Sequence, residues 1–375
     1  MGTPRNTGAG FTMTHLPGRF FLPGPTEVHP DVLAAQNAQM IGHRGPAIKA
    51  LMESVEAGLK PVFMTDRPVI VSTSSATGLM EAAVRNGVLG GKVLSLVTGA
   101  FSGRFAEIAQ TCGLDVEVWE VSWGEVHSSD DLAERLAGTE YEAVILSQSE
   151  TSTGSLHDLE AVAKVVREYE DTLLLVDSVT GIGGVETRPD DWGIDFILTG
   201  SQKALALPPG LAFGLASDGM MKRSRQADGR GWYFALDRLM DQLLGSQTPA
   251  TPAVSLLYAL DLQLKRIAEE GMEARWQRHL DMQKRTFDWV DEMRSVGSGI
   301  DVFAAEGHRS PTVTCIAMPD GKGASEVVSA MAEKGWVIGG GYGKLKESTI
   351  RIGHMGDHTV AELDGLLNVL EEVMP

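Results

Sequence analysis

Two residues of this 375-residue sequence, Lys203 and Asp177, have types and positions suited to carbonyl chemistry. Lys203 follows an apolar run at residues 196–198, and a lysine that is partly desolvated or close to other positive charge can form a Schiff base. Asp177 ends a second apolar run, where a carboxylate can keep the pyridine nitrogen of pyridoxal phosphate protonated. Each residue alone also fits a plain role, as a solvated lysine or a helix-capping aspartate. Together they predict bound pyridoxal phosphate.

A small-residue segment supplies a candidate phosphate site. Ser75, Ala76 and Thr77 stand between a β-branched run at 69–72 and an amphipathic stretch at 78–86. The free amides of a helix N-terminus bind an anion without a basic side chain. The same residues are also a common helix cap.

One arginine lies among apolar neighbours in residues 349–353. Arg351 is costly to bury without an anionic partner, and its planar guanidinium fits a carboxylate with two hydrogen bonds. We interpret it as the clamp for the α-carboxylate of an amino acid, with a salt bridge to a surface acid as the alternative. Arg44, within Gly-His-Arg-Gly-Pro, is a second candidate for the distal group of the substrate.

These residues belong to a longer series of matching segments. The sequence resembles the class V (fold type I) aminotransferases, and within them the alanine:glyoxylate and serine:glyoxylate (or pyruvate) group. The resemblance covers nearly the whole chain after residue 18, and its segments, in the family's order, are residues 21–26, 42–44, 149–154, 176–179, 200–205, 208–210 and 345–353.

The resemblance implies a role for each matching residue. It makes Lys203 and Asp177 catalytic. It assigns cofactor contacts to Ser75, Ala76, Thr77, Phe101, Ser152, Asp177, Val179, Gln202, Lys203, Thr248 and Thr251. It assigns substrate contacts to Arg351, Arg44 and Pro25. Phe101 would stack on the cofactor, although ordinary core packing is its alternative. Thr251 would reach the cofactor phosphate of a second subunit, although a helix-entry turn would also explain its segment.

Alternating β-branched and amphipathic runs predict an α/β fold with a mostly parallel central sheet. The candidate strands are residues 69–72, 93–97, 143–146, 173–177, 196–199 and 212–215. A long helical stretch at 253–296, interrupted near Gly271, leads into a smaller α+β region. We therefore expect a flexible tail at 1–18, a large cofactor-binding domain with an N-terminal arm at 19–270 and a small C-terminal domain at 271–375.

Composition excludes several classes of protein. The net charge of −18 argues against nucleic acid and anionic membrane partners. Cys112 and Cys315 lie far apart and have no metal-ligand spacing, so we expect no metal site and a cytoplasmic location. The segment at 181–184, Gly-Ile-Gly-Gly, does not open a helix and therefore does not predict a dinucleotide site.

The expected function is a homodimeric, pyridoxal phosphate-dependent aminotransferase with a ping-pong mechanism and a shared active site. It would move an amino group from alanine or serine to glyoxylate or pyruvate. Phosphoserine, aspartate and aminoethylphosphonate remain alternative donors, and a non-catalytic regulator that binds the cofactor is a second class. A cysteine desulfurase is disfavoured because Gln202 stands where that branch has histidine.

Overall fold

The computed structural model describes residues 16–321 and 323–374. The expected tail at 1–18 lies outside the described residues except for its last three. The strands are β1 (Phe20–Phe21), β2 (Val69–Ser72), β3 (Val93–Val97), β4 (Val116–Glu120), β5 (Ala143–Ser147), β6 (Ser149–Glu150), β7 (Ser155–Leu156), β8 (Leu173–Asp177), β9 (Phe196–Gly200), β10 (Ala212–Ala216), β11 (Asp301–Val302), β12 (Thr314–Ala317), β13 (Val337–Gly340) and β14 (Thr349–Ile352).

Helices cover the faces of these strands. They are α1 (Pro30–Ala35), α2 (Pro46–Val62), α3 (Ala76–Gly87), α4 (Ala100–Thr111), α5 (Ser129–Gly138), α6 (Leu159–Val166), α7 (Pro189–Trp192), α8 (Asp218–Gln226), α9 (Leu236–Leu243), α10 (Val254–Glu270), α11 (Met272–Ser295), α12 (Ala324–Glu333) and α13 (Val360–Val373). Among the described residues, no helix is both long and apolar enough to cross a membrane.

A seven-stranded sheet forms the centre of the larger region. Its order is β2-β10-β9-β8-β5-β3-β4, with β10 antiparallel to both of its neighbours and the other pairs parallel. Every residue of β3, β5, β8 and β9 is buried, as expected of parallel strands covered by helices on both faces. The predicted mostly parallel sheet is confirmed.

The smaller sheet has the order β1-β13-β14-β12-β11 and its own apolar core. Its first strand comes from the beginning of the chain, because Phe20 and Phe21 pair in parallel with Val337 and Ile338. Phe21 is fully buried in this core. The N-terminal segment, expected within the span 19–270, therefore contributes a strand to the C-terminal sheet, since the aromatic side chain is buried there.

Two consecutive helices connect the larger region to the smaller one. Helices α10 and α11 meet at Gly271, whose φ of 81° is a conformation that favours glycine. The predicted interruption of the long helical stretch is therefore found at this residue. Arg275, buried at the start of α11, donates to the Ala204 carbonyl at 2.6 Å and to the Gly183 carbonyl at 3.2 Å. The helix break thereby places a cation against the loop that carries Lys203.

Candidate active site

Lys203 lies in the loop that follows β9. Its ammonium donates a hydrogen bond to the Pro23 carbonyl. Thr26 ties the N-terminal segment to the backbone of the lysine loop. Its hydroxyl donates to the Lys203 carbonyl at 2.9 Å, and its amide donates to the Gln202 carbonyl at 3.0 Å. A side chain at Gly24 would collide with the Lys203 side chain, so the glycine at this position leaves room for the amine. The N-terminal segment is therefore one wall of the lysine site.

The environment of Lys203 favours its neutral, nucleophilic form. Burial lowers the pKa of its amine to about 8, and the positive charge of Arg351 adds to this effect. The negative charge of Asp177 opposes the shift and Arg104 adds to it. A lysine of ordinary pKa is almost entirely protonated near neutral pH, so this site raises the fraction of reactive amine.

Asp177 ends β8, the strand adjacent to β9, and its carboxylate is buried. The register of the two parallel strands pairs Asp177 with Leu198, so both chemical groups emerge at the carboxyl edge of the sheet. Burial raises the pKa of Asp177 to about 6. Hydrogen bonds from the Val179 amide at 2.8 Å and the Ser147 hydroxyl at 2.9 Å oppose that rise and orient the carboxylate.

The predicted phosphate site lies at the N-terminus of α3, where Ser75 is the N-cap residue and Ala76 is the first helical residue. The Gln202 side chain lies beside it, and its Oε1 is buried without a hydrogen-bond partner in the described residues. A Cβ added at Gly200 would lie 2.8 Å from Gln202 Oε1 and 3.4 Å from the Ala76 side chain. The glycine therefore lets the Gln202 side chain pack closely against the backbone beside Ala76, near the helix N-terminus whose free amides can bind an anion.

Phe101 lies in the first turn of α4 and is half-buried. Its ring stacks on Tyr342, with centroids 5.1 Å apart and an angle of 26° between the planes. Val179, the predicted contact for the opposite face of the cofactor, lies two residues after Asp177, and its carbonyl accepts from the Thr199 hydroxyl at 3.2 Å. The hydrogen bond from its amide to Asp177 places Val179 beside the acid.

Glu150 is a buried carboxylate at this site that the sequence interpretation did not assign. It accepts hydrogen bonds from the amides of Phe101 (3.1 Å), Ser102 (2.9 Å) and Ser152 (3.1 Å). The hydroxyls of Ser102 and Ser152 donate to it at 2.9 and 2.6 Å. A negative charge at a helix N-terminus is favourable. Glu150 therefore fixes the turn that carries Phe101.

Ser152 has a defined role in this network. Its hydroxyl donates to Glu150 and accepts from the Ala100 amide at 3.0 Å. Its predicted contact with the ring oxygen of the cofactor remains a prediction. The sequence signal available for this cap is an acid followed two residues later by a serine. The helix that the acid caps begins directly after a glycine.

Arg351 lies on β14 and is buried. Its Nε donates to the Gly340 carbonyl at 2.8 Å and its Nη1 to the Thr151 carbonyl at 3.1 Å. Among residues 16–321 and 323–374, no carboxylate is within ion-pair distance of this guanidinium. The alternative of a salt bridge to a surface acid is therefore not found in this part of the chain.

The remaining predicted residues lie away from this centre or at its edge. Thr248 and Thr251 line a small cleft with Thr73, and the Thr248 hydroxyl donates to the Ala250 carbonyl at 2.7 Å. Arg44 is exposed and reaches the same segment, where its guanidinium lies 3.5 Å from the Pro249 carbonyl. Pro25 is exposed beside Gly24. Within the described residues, no cluster of three or more His, Cys, Asp or Glu side chains could hold a metal.

Comparison with known proteins agrees with this arrangement. The model of the family described as aminotransferase class-V matches residues 27–364. The chain is 36% identical to an uncharacterized aminotransferase of Methanocaldococcus jannaschii, covering 89% of this chain and 87% of that protein. It is 33% identical to a serine–glyoxylate aminotransferase of Arabidopsis thaliana, with 96% and 91% covered.

A solved structure is similar over its full length. The crystal structure of alanine–glyoxylate aminotransferase from Nostoc sp. has a TM-score of 0.90 and 32% identity, covering 100% of both chains. This similarity confirms the predicted fold class, an α/β fold of type I. The chain therefore belongs to the class-V aminotransferase family.

Proposed function

We propose that this aminotransferase uses pyridoxal phosphate to move an amino group from alanine or serine to glyoxylate or pyruvate. The observation that carries the proposal is the convergence of Lys203, with its lowered pKa, and buried Asp177 at one edge of the central sheet. A reactive amine and a desolvated acid at the ends of adjacent strands are the two groups that this cofactor requires.

The residues present fit pyridoxal phosphate. The free amides at the N-terminus of α3 would bind the phosphate, and the buried Gln202 side-chain amide beside Ala76, turned so that its NH2 group faces this helix end, would donate to it as well. Phe101 offers an aromatic surface, and Val179 an apolar one next to Asp177. Lys203, Asp177, Phe101, Val179 and Gln202, with the Ser75–Thr77 amides, would hold the group.

When bound, pyridoxal phosphate would supply an aldehyde that condenses with amines and a ring that accepts electrons from the α-carbon. Lys203 would bind it covalently through Nζ until an amino acid displaces the lysine. As a free amine of lowered pKa, the Lys203 Nζ would accept and return a proton at the α-carbon of the amino acid. Asp177 would keep a proton on the pyridine nitrogen, and its fixed hydrogen bonds to Val179 and Ser147 would keep it aimed there.

Arg351 would bind the α-carboxylate of donor and acceptor alike. Two of its nitrogens are held by the carbonyls of Gly340 and Thr151, so the orientation of the guanidinium is set before a substrate arrives. A pre-oriented fork loses less conformational freedom on binding a carboxylate. This geometry fixes which end of the amino acid faces Lys203 and therefore places its α-carbon near the amine.

The donor and acceptor are proposed from similarity to the enzymes of Arabidopsis and Nostoc, whose names specify serine, alanine and glyoxylate. The test is a half-reaction: purified protein loaded with the cofactor is mixed with single amino acids while its visible absorption is recorded. We expect alanine and serine to bleach the lysine-bound form and glyoxylate to restore it. If only phosphoserine, aspartate or aminoethylphosphonate bleaches this form, that compound is the donor instead of alanine or serine. If no amino acid bleaches it, the protein is a regulator that binds the cofactor.

We further propose a homodimer in which Thr251 and Thr248 serve the active site of the second subunit. Their cleft, and exposed Arg44 beside it, leave these groups available at the surface of the single chain. Mixed Lys203→Ala and Thr251→Arg homodimers, each inactive, should recover partial activity after subunit exchange, because one hybrid site receives both intact residues. Thr251→Trp is the steric control, because an arginine could itself attract phosphate. An active monomer, or no recovery despite demonstrated exchange, would refute the shared site.

A further inference from the structure

Arg104 is a cation near the reactive lysine that the mechanism above does not use. It lies on α4, one turn beyond the helix start, and its Nη2 donates to the Tyr342 hydroxyl at 2.9 Å. Its Cζ is 5.0 Å from the centroid of the Phe101 ring. Within the described ranges, no carboxylate lies at ion-pair distance from this guanidinium, although many arginines elsewhere in the chain have such a partner.

Tyr342 connects this cation to the proposed substrate clamp. The Cζ of Arg351 lies 5.6 Å from the centroid of the Tyr342 ring, and the hydroxyl of the same ring accepts from Arg104. The Tyr342 side chain therefore contacts both guanidinium groups, one at its hydroxyl and the other over its ring. Tyr342 is 37% exposed, so the cluster lies open to entering molecules.

Positive charges outnumber negative ones in this region, where Lys203, Arg351 and Arg104 face the carboxylates of Asp177 and Glu150. Arg351 and Arg104 both depress the pKa of Lys203, which places both positive charges within the field of one amine. A single α-carboxylate bound at Arg351 compensates one of the two. Bringing a substrate into the site also displaces water from Arg104, and an uncompensated cation there becomes more costly as water leaves.

The hydrogen-bonding groups at Arg104 are donors. Its guanidinium has no acceptor capacity, and the Tyr342 hydroxyl, because it already accepts from Arg104, keeps its own proton free to donate. Such a set selects an oxygen acceptor, and the positive charge favours a carboxylate over a hydroxyl.

We propose that Arg104 and Tyr342 form a second anion subsite, which takes the side-chain carboxylate of a four-carbon dicarboxylic substrate whose α-carboxylate binds Arg351. The subsite extends the donors beyond alanine and serine to acidic amino acids, and it rests on the proposed function. Arg104 contributes the charge, and Tyr342 holds Arg104 in place and donates one hydrogen bond.

Binding of unreactive acids to the cofactor-loaded enzyme tests the subsite without turnover. Succinate has two carboxylates and propionate has one, and their affinities can be measured by titration calorimetry. We expect succinate to bind at least about tenfold more tightly, because a charge-assisted hydrogen bond separates the two ligands. Arg104→Met should bring the ratio of affinities close to one, Tyr342→Phe should lower it several-fold, and Arg104→Lys should retain part of it.

Lys344→Met is the matched control. It removes an exposed positive charge two residues from Tyr342, where Lys344 lies over Trp123. The ratio of succinate to propionate affinity should be unchanged in Lys344→Met. A fall as large as that in Arg104→Met would mean that any nearby positive charge produces the effect, and it would refute the subsite. Equal affinities in the wild-type enzyme, or an unchanged ratio in a folded Arg104→Met variant, would also overturn it. Circular dichroism checks folding of each variant.

The alanine half-reaction separates this inference from the proposed function. If alanine bleaches the lysine-bound form while succinate shows no advantage, the subsite alone is wrong. If no amino acid reacts, the proposed aminotransferase activity fails whatever the ratio of affinities. A change of assembly mass in Arg104→Met, with the ratio kept, would assign Arg104 to a contact between subunits instead.

Discussion

Replacing Glu150 with glutamine tests whether this buried acid holds the first turn of α4. In the native structure each carboxylate oxygen faces donors: one receives the Ser102 amide, and the other receives the Ser152 amide, at 2.9 and 3.1 Å. A glutamine retains one oxygen and introduces an NH2 group. Whichever way the new amide is turned, it meets one backbone N–H that has lost its acceptor.

The cost follows from these contacts. One buried, unsatisfied amide costs about 1–3 kcal/mol. Loss of the negative charge at the helix N-terminus adds about 0.3–1 kcal/mol, and up to about 2 kcal/mol in a buried setting. We expect Glu150→Gln to lower the free energy of unfolding by roughly 2–4 kcal/mol. Since α4 carries Phe101, the affinity for pyridoxal phosphate should fall as well.

The assays are denaturant unfolding of the apoprotein and equilibrium binding of the cofactor. Glu107→Gln is the matched control, because this exposed residue on the same helix undergoes the same chemical change. The control should stay within about 0.5 kcal/mol of the wild type. A Glu150→Gln variant as stable as its control, with unaltered cofactor affinity, would refute the assigned role of the acid.

Three further predictions concern the lysine and its supports. Arg351→Lys should raise the KM for alanine by about tenfold or more, because a lysine cannot bind a carboxylate through two parallel hydrogen bonds; an unchanged KM would move the clamp elsewhere. In the apoprotein, acetylation of Lys203 by acetic anhydride should rise with pH to a midpoint near 8, because the neutral amine reacts and burial lowers its pKa to about 8. Peptide mass spectrometry measures this rate, and Lys284, which is exposed, is the reference; the same midpoint at both lysines would contradict the assigned pKa shift. Arg275→Met should destabilise the apoprotein by about 3–5 kcal/mol, because Glu270 and Asp357 lose a buried partner. Arg275→Lys should recover part of this loss. Equal stability of the wild type and both variants in denaturant would show that these ion pairs do not stabilise the fold.

Hydrophobic runs predicted the central sheet well, because its strands are buried on both faces and flanked by clear turn signals. Strand β4 was not predicted. Its sequence, Val-Glu-Val-Trp-Glu, alternates apolar and charged residues at the edge of the sheet, where it is half-buried. Strand β1 was missed for a different reason: two residues have no periodicity, and their partner strand lies more than 300 residues away.

The candidate site shows the same division. Lys203 and Asp177 could be found from sequence because each follows a recognisable strand, and neighbouring parallel strands bring their carboxyl ends together. Glu150 and Arg275 could not be assigned, because their roles depend on partners distant in sequence: the amides of α4 for the first and the Ala204 carbonyl for the second. A buried charged residue that binds backbone groups has little characteristic sequence pattern, so it is difficult to identify from the sequence.

The most direct test of the central claim is the exchange of the α-proton of alanine with solvent. Cofactor-loaded protein is incubated with alanine in D2O without an oxo acid, and the loss of the α-proton signal is followed by NMR. Wild-type protein should catalyse this exchange. Lys203→Ala should abolish it, and Asp177→Asn, which retains the lysine, should slow it strongly. Exchange at the wild-type rate in a folded, cofactor-containing Lys203→Ala protein would contradict the account, because another group would then be moving the proton.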